Sequence, residues 1–199
     1  MGRPVIYYVR HGLTDWNVEQ RLQGRCDTPL NEEGRRQAAR CGKILRGLFE
    51  RDGRLAANLA YVSSPLLRAR ATMQLMRSEL GLNPCDYHIE ERLAELSFGE
   101  WDGLTYAQIV MRAKDVLAAR EADRWGFVPP AGESYADLAR RVGAWCSTVH
   151  EDTVVAAHGG TARALLAHLS IVPPQEAPHY PIDQGVVYVF DADGIARHG

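Results

Sequence analysis

Four short apolar runs, rich in β-branched and aromatic residues and separated by stretches of helical periodicity, constrain this 199-residue chain more than any other feature. They are Val5 to Val9, Leu59 to Val62, Thr153 to Ala157 and Val186 to Phe190. Each is short and apolar enough to be a strand covered on both sides, as in a parallel sheet. Between them the spacing predicts helices. Asn31 suits the cap of one with Glu32 and Glu33 in its first turn and Ala38, Cys41, Leu45 and Leu48 on one face. Ser64 and Pro65 suit the start of another, reaching Leu80. Further helices are expected over Thr105 to Ala122, over Thr161 to Leu169, and over Tyr135 to His150, which aligns Leu138, Val142, Trp145 and Val149. Gly126 to Gly132, with two prolines, breaks the pattern. Strands alternating with helices imply an α/β fold of three layers, a mostly parallel sheet with helices on both faces. The length suits one domain over 1–199, with the region around 101–135 reading as a small cap or insert.

Charge and cysteine usage narrow the partners. A formal net charge of -2, with no Lys/Arg cluster interleaved with aromatics, offers no basic field to a phosphate backbone, so nucleic acid is not expected as a partner. No apolar run approaches the roughly 20 residues that cross a bilayer, and MGRPVIYYVR is interrupted by charge too soon for a signal peptide. The chain begins Met-Gly but has Ile6 where a myristoylation signal needs Ser or Thr. Cys26, Cys41, Cys85 and Cys146 are scattered without a CxxC pair, which predicts reduced thiols and a cytoplasmic protein.

Ligands of open α/β sheets bind outside the carboxyl ends of the strands. Three strand ends here carry reactive groups: Arg10 and His11 after the first, Arg68 and Arg70 within SSPLLRAR after the second, and His158, Gly159 and Gly160 after the strand at Thr153 to Ala157. The two glycines also open a helix, whose free N–H groups and positive dipole end favour an anion. Taken singly, a histidine after a strand, an arginine on a helix or a Gly-Gly pair has an ordinary structural explanation. Two histidines, each followed by glycine, with arginines beside them, together ask for phosphate. Neither histidine has an i, i+4 partner or a carboxylate pair to complete a metal site, so no metal is expected.

At this point the chain resembles the histidine phosphatase superfamily, the phosphoglycerate mutase-like fold. The blocks that carry the likeness are RHG at Arg10 to Gly12 with Thr14, Trp16 and Asn17 as T-x-W-N, SSPLLRARAT from Ser63 to Thr72, ERLAELSFGEWDG from Glu91 to Gly103, and AAHGG from Ala156 to Gly160. They follow the family's order over residues 5 to 165. The resemblance implies His11 as nucleophile, forming a phosphohistidine, with Arg10, Arg68 and His158 around the phosphoryl oxygens and Glu95 as the general acid and base. It also implies Asn17, Gln23, Gly24, Thr14 and Gly159 as substrate-binding residues, and no cofactor. Leu93, Leu96, Phe98 and Trp101 are expected to surround Glu95 and raise its pKa.

RLQGRCDTPLNEEG from Arg21 to Gly34, and GEWDG from Gly99 to Gly103, resemble the phosphatase branch more than the mutases. The implied function is a metal-independent phosphomonoester hydrolase acting on a small phosphorylated metabolite and releasing inorganic phosphate. The alternatives are a cofactor-dependent phosphoglycerate mutase and, from another class, a noncatalytic phosphate- or phosphopeptide-binding module. GESYADL from Gly132 to Leu138 reads as a loop entering a helix, with Ser134 as cap. Specificity is expected from the segments Arg21 to Thr28 and Trp101 to Tyr135, which offer Arg21, Arg25, Arg112, Lys114, Arg120 and Arg124. IDQGVVYVF departs from the family's usual pattern at Gln184 and Gly185, so the resemblance does not define the back wall of the pocket.

Overall fold

A computed structural model describes residues 3–199; Met1 and Gly2, on which the reading of the Met-Gly start bears, lie outside the described residues. The strands are β1 (Ile6–Arg10), β2 (Ala60–Ser63), β3 (His88–Ile89), β4 (Thr153–Ala157), β5 (Val187–Asp191) and β6 (Gly194–His198). The helices are α1 (Asp15–Val18), α2 (Glu32–Arg51), α3 (Leu67–Glu79), α4 (Tyr106–Ala122), α5 (Tyr135–Cys146) and α6 (Gly159–His168). The strands form one six-stranded sheet in the order β3-β2-β4-β1-β5-β6. β3, β2, β4 and β1 run parallel, while β5 and β6 add an antiparallel edge. The expected mostly parallel sheet is therefore correct, with an antiparallel hairpin appended.

Alternation along β1 explains the three layers, since successive side chains of a strand point to opposite faces. Ile6 and Tyr8 join Val155 and Ala157 of β4 in a core with Leu138, Val142 and Trp145 of α5 and Leu165 of α6. Tyr7 and Val9 join Val154 and Ala156 on the other face, against Cys41, Leu45 and Leu48 of α2 and Met73 and Met76 of α3. β4 is buried throughout, as its unbroken apolar run requires. A third, smaller cluster of Trp101, Ile109 and Leu117 lies under α4, within the segment read as a cap. No described helix is long and apolar enough to cross a membrane.

Three helix boundaries differ from expectation by two residues or more, and one helix is interrupted. α3 starts at Leu67, not at Ser64–Pro65, because a distant loop caps it: Asp27 Oδ1 accepts the Leu67 N–H at 2.6 Å. α4 is interrupted at Ala113 (φ -153°, ψ 51°). α5 ends at Cys146, short of His150. α6 starts at Gly159, with His158 in extended conformation before it. β3 and β6 were not expected. β3 has only two residues, both exposed, and β6 is only partly buried, so neither carries an apolar run.

Candidate active site

β1 delivers Arg10 and His11 to the carboxyl edge of the sheet, and Gly12 follows. The chain there approaches the first turn of α2 so closely that a Cβ on Gly12 would overlap the Gly34 carbonyl oxygen, and one on Gly34 would overlap Leu13. His11 is buried. Its Nδ1 lies 2.8 Å from the Gly12 carbonyl oxygen, which can only accept, so Nδ1 carries the hydrogen and Nε2 is left as a bare lone pair. Burial, then Arg68 and Arg10, hold the His11 pKa well below that of a free imidazole, and the ring is neutral at pH 7.

Arg68 has no exposed surface and, among the described residues, no carboxylate bonded to it. Its NH1 and NH2 donate at 2.7 and 2.8 Å to the carbonyls of Cys26 and Gly24, so the loop of the QGRCD segment grips the guanidinium by its back. Gly24 takes φ +48°, and a Cβ there would run into the Asp102 carboxylate. Asp102 in turn accepts the N–H groups of Phe98 and Arg25, tying the GEWDG turn to the same loop. Arg10 NH1 donates to the Ile182 carbonyl at 2.7 Å. Burial lowers the pKa of both guanidiniums below the ordinary arginine value. Their charge goes uncompensated by any carboxylate bond, a costly arrangement in a protein interior unless an anion completes it.

His158 closes the group. Its ring is fully buried, with its centroid 5.2 Å from that of His11 and its Nε2 2.7 Å from Ser64 Oγ. Burial, then Arg68, His11 and Arg10, press its pKa well below the free value. Among the described residues three buried side-chain N or O atoms lack a hydrogen-bond partner, and all three meet here: Arg10 Nε, Arg68 Nε and His158 Nδ1. Buried polar atoms are ordinarily satisfied, so three orphans converging beside one bare imidazole nitrogen describe a receptor for an oxyanion.

Glu95 faces this group from the other side. Oε1 accepts the Leu96 N–H at 2.8 Å and Oε2 accepts the Gly160 N–H at 3.1 Å, at the N-terminal turn of α6. Of the four apolar residues expected around Glu95, Phe98 joins it on the cavity wall, while Leu93 and Leu96 lie in the core and Trp101 in the small cluster of α4. The backbone that carries Glu95 is braced. Arg141 pairs with Glu133 through Nε and NH2 at 2.7 and 2.9 Å, while its NH1 and NH2 donate to the carbonyls of Arg92 and Glu95.

The cavity between these groups has a volume of about 180 Å³. Arg10, His11, Asn17, Gln23, Gly24, Arg68, Glu95 and Gly159 line it, joined by Arg163, so eight of the ten residues singled out from the sequence share one wall. His158 and Thr14 are not among the lining residues; His158 adjoins His11, and Thr14 is bonded to Asn17. The Thr14 hydroxyl bonds Asn17 Oδ1, which also accepts Gln184 Nε2; these partners turn the Asn17 amino group outward. Gln23 Oε1 is likewise held by the Thr28 hydroxyl. Of the six basic residues that the specificity segments offer, only Arg21 lines the cavity. Arg25 reaches towards Glu95 and Glu133, Arg120 and Arg124 bond Glu121, and Arg112 and Lys114 are exposed. Four positions escaped the sequence reading: Ser64, read there as a helix cap; Arg141, which meets Glu95 only in three dimensions, with its partner Glu133; and Arg163. Arg163 stands four residues after Gly159, on the same face of α6, a spacing that could have found it.

Comparison with known proteins agrees with this geometry. The model of the histidine phosphatase superfamily, branch 1, matches residues 6–197. A glucosyl-3-phosphoglycerate phosphatase of Mycobacterium tuberculosis is 36% identical over 187 residues, covering 87% of this chain and 78% of its own. A 2,3-bisphosphoglycerate-dependent phosphoglycerate mutase of Beijerinckia indica is 30% identical, covering 94% and 90%. The solved mycobacterial glucosyl-3-phosphoglycerate phosphatase superposes with a TM-score of 0.78 at 29% identity, over 99% of this chain and 96% of its own. The α-ribazole phosphatase of Shigella flexneri, 23% identical over 96% of this chain and 93% of its own, shares the fold with a TM-score of 0.78. This chain belongs to branch 1 of the histidine phosphatase superfamily.

Proposed function

We propose that the protein hydrolyses a phosphomonoester of a small metabolite through a phosphohistidine on His11. The observation that carries this reading is the set of three unpartnered buried nitrogens, Arg10 Nε, Arg68 Nε and His158 Nδ1, in the group that includes the bare Nε2 of a neutral histidine. In the first step that lone pair attacks phosphorus and the ester P–O bond breaks, while the donors hold the three equatorial oxygens, where charge concentrates. Glu95 gives a proton to the departing alkoxide. In the second step it takes a proton from the attacking water, the P–N bond breaks, and inorganic phosphate leaves with the histidine restored. The Asn17 amino group, the Gln23 amide and the N–H of Gly159 add neutral donors. The cavity walls are cationic and rich in N–H donors, which suits an anion without a bridging metal ion. The phosphatase relative at 36% identity supports hydrolysis.

The test is phosphate release in EDTA from a panel of phosphomonoesters, comparing wild type with His11→Ala and Glu95→Ala. Activity should survive chelation and vanish in the first variant. In the second it should fall chiefly for poor leaving groups. A wild type that binds phosphate but releases none from any ester would overturn the reading. The mutase relatives, at 28% to 32% identity, then make transfer to 3-phosphoglycerate the next assay.

A further inference from the structure

We infer that Ser64 fixes the tautomer of His158, holding its hydrogen on Nδ1 so that this histidine can only donate where His11 can only attack. The inference rests on the reading of the site as a phosphoryl-transfer centre. Ser64 follows β2 directly; its N–H is bonded to the Ala156 carbonyl of β4 at 3.0 Å, and His158 lies two residues further along that strand's direction. The two residues are thus fixed on adjacent strand ends.

The hydroxyl of Ser64 has one hydrogen, and its oxygen already accepts the Leu66 N–H at 3.3 Å. Among the described residues the remaining partner is His158 Nε2, at 2.7 Å. Ser64 is fully buried, so a hydroxyl hydrogen with no acceptor would carry a full desolvation cost. If Nε2 carried the hydrogen instead, the Ser64 hydrogen would be stranded and a lone pair at Nδ1 would stand beside the oxyanion. With the hydroxyl donating to Nε2, both atoms are satisfied and Nδ1–H becomes a donor with the phosphoryl group as its natural acceptor. A doubly protonated ring is disfavoured by burial and the two guanidiniums.

The pair of histidines then shares one tautomer and presents opposite ends. In His11 the Nδ1–H is spent on the Gly12 carbonyl and the bare Nε2 is offered. In His158 the bare Nε2 is spent on Ser64 and the Nδ1–H is offered. A carbonyl and a hydroxyl thereby separate nucleophile from stabiliser, and Ser64 acts as a positioning residue.

The experiment is long-range ¹H–¹⁵N NMR of the ¹⁵N-histidine protein at pH 7, with His158 assigned by loss of its signals in His158→Asn. The inference requires His158 with Nδ1 protonated and Nε2 bare; Nε2 protonated in the wild type overturns it. In Ser64→Ala the His158 signals should move towards the Nε2–H form and vanadate affinity should fall about tenfold, whereas Ser64→Thr, which keeps the hydroxyl, should retain the wild-type pattern. Unchanged signals and affinity in Ser64→Ala would also overturn it. The wild-type spectrum decides the matter even if a variant does not fold. It also needs no substrate, so an inactive enzyme with Nδ1–H on His158 would refute the proposed function and leave the tautomer assignment standing.

Discussion

Two neutral buried imidazoles tie the site to the stability of the fold. The pKa of His11 and that of His158 are both depressed, so below the free value of 6.5 the unfolded chain binds protons that the folded chain refuses. Stability is therefore fully present above pH 6.5 and is lost as pH falls below it, by at most about 1.4 kcal/mol per pH unit for each histidine. Urea denaturation at pH 7 and pH 5 should register this loss, and His11→Asn should make it shallower; equal stability at both pH values would refute neutral burial. Asn17 gives a second residue-scale prediction. Its Oδ1 is spent on Thr14 and Gln184, so only its amino group is free to meet a phosphoryl oxygen. Asn17→Asp substitutes an anion for that donor, and inhibition by phosphate should weaken by about tenfold or more, with the melting temperature little changed.

At the scale of elements, strand ends deliver the reacting groups, and contacts between loops and helices hold them. His11, Arg68 and His158 were legible because each closes or follows a strand, and the strand runs were legible because β4 and β1 are buried on both faces. The support was not legible. Asp27 caps α3 from 40 residues away, which moved the helix start past Ser64 and hid that residue's contact with His158. The Glu133–Arg141 pair is mostly buried and holds the carbonyl of Glu95 from α5, a meeting that no local periodicity encodes. Breaking it by Glu133→Gln should lower turnover of alkyl phosphates about ten- to a hundredfold through misplacement of Glu95, and aryl phosphates much less. A uniform loss across leaving groups would contradict that role. The approach of Gly12 to Gly34 makes Gly34→Ala an element-scale test as well: overpacking at the turn should destabilise the protein by about 1–3 kcal/mol in urea and reduce activity with it.

The whole molecule is one sheet with a core on each face and a receptor at its carboxyl edge, where among the described residues no carboxylate is bonded to the guanidinium of Arg10 or Arg68. A protein built this way should gain stability from its ligand. Saturation with inorganic phosphate at a hundred times its dissociation constant should add about 2.7 kcal/mol, seen as a rise in melting temperature that Arg68→Met abolishes. The central claim, that this receptor serves phosphoryl transfer to His11, is tested most directly by rapid quench into alkali, where phosphohistidine survives, followed by peptide mass mapping. The expected result after mixing with a reactive phosphomonoester is one phosphoryl group on His11, accumulating further in Glu95→Gln. A phosphoryl group on His158, or turnover with no phosphoenzyme at any mixing time, would contradict it.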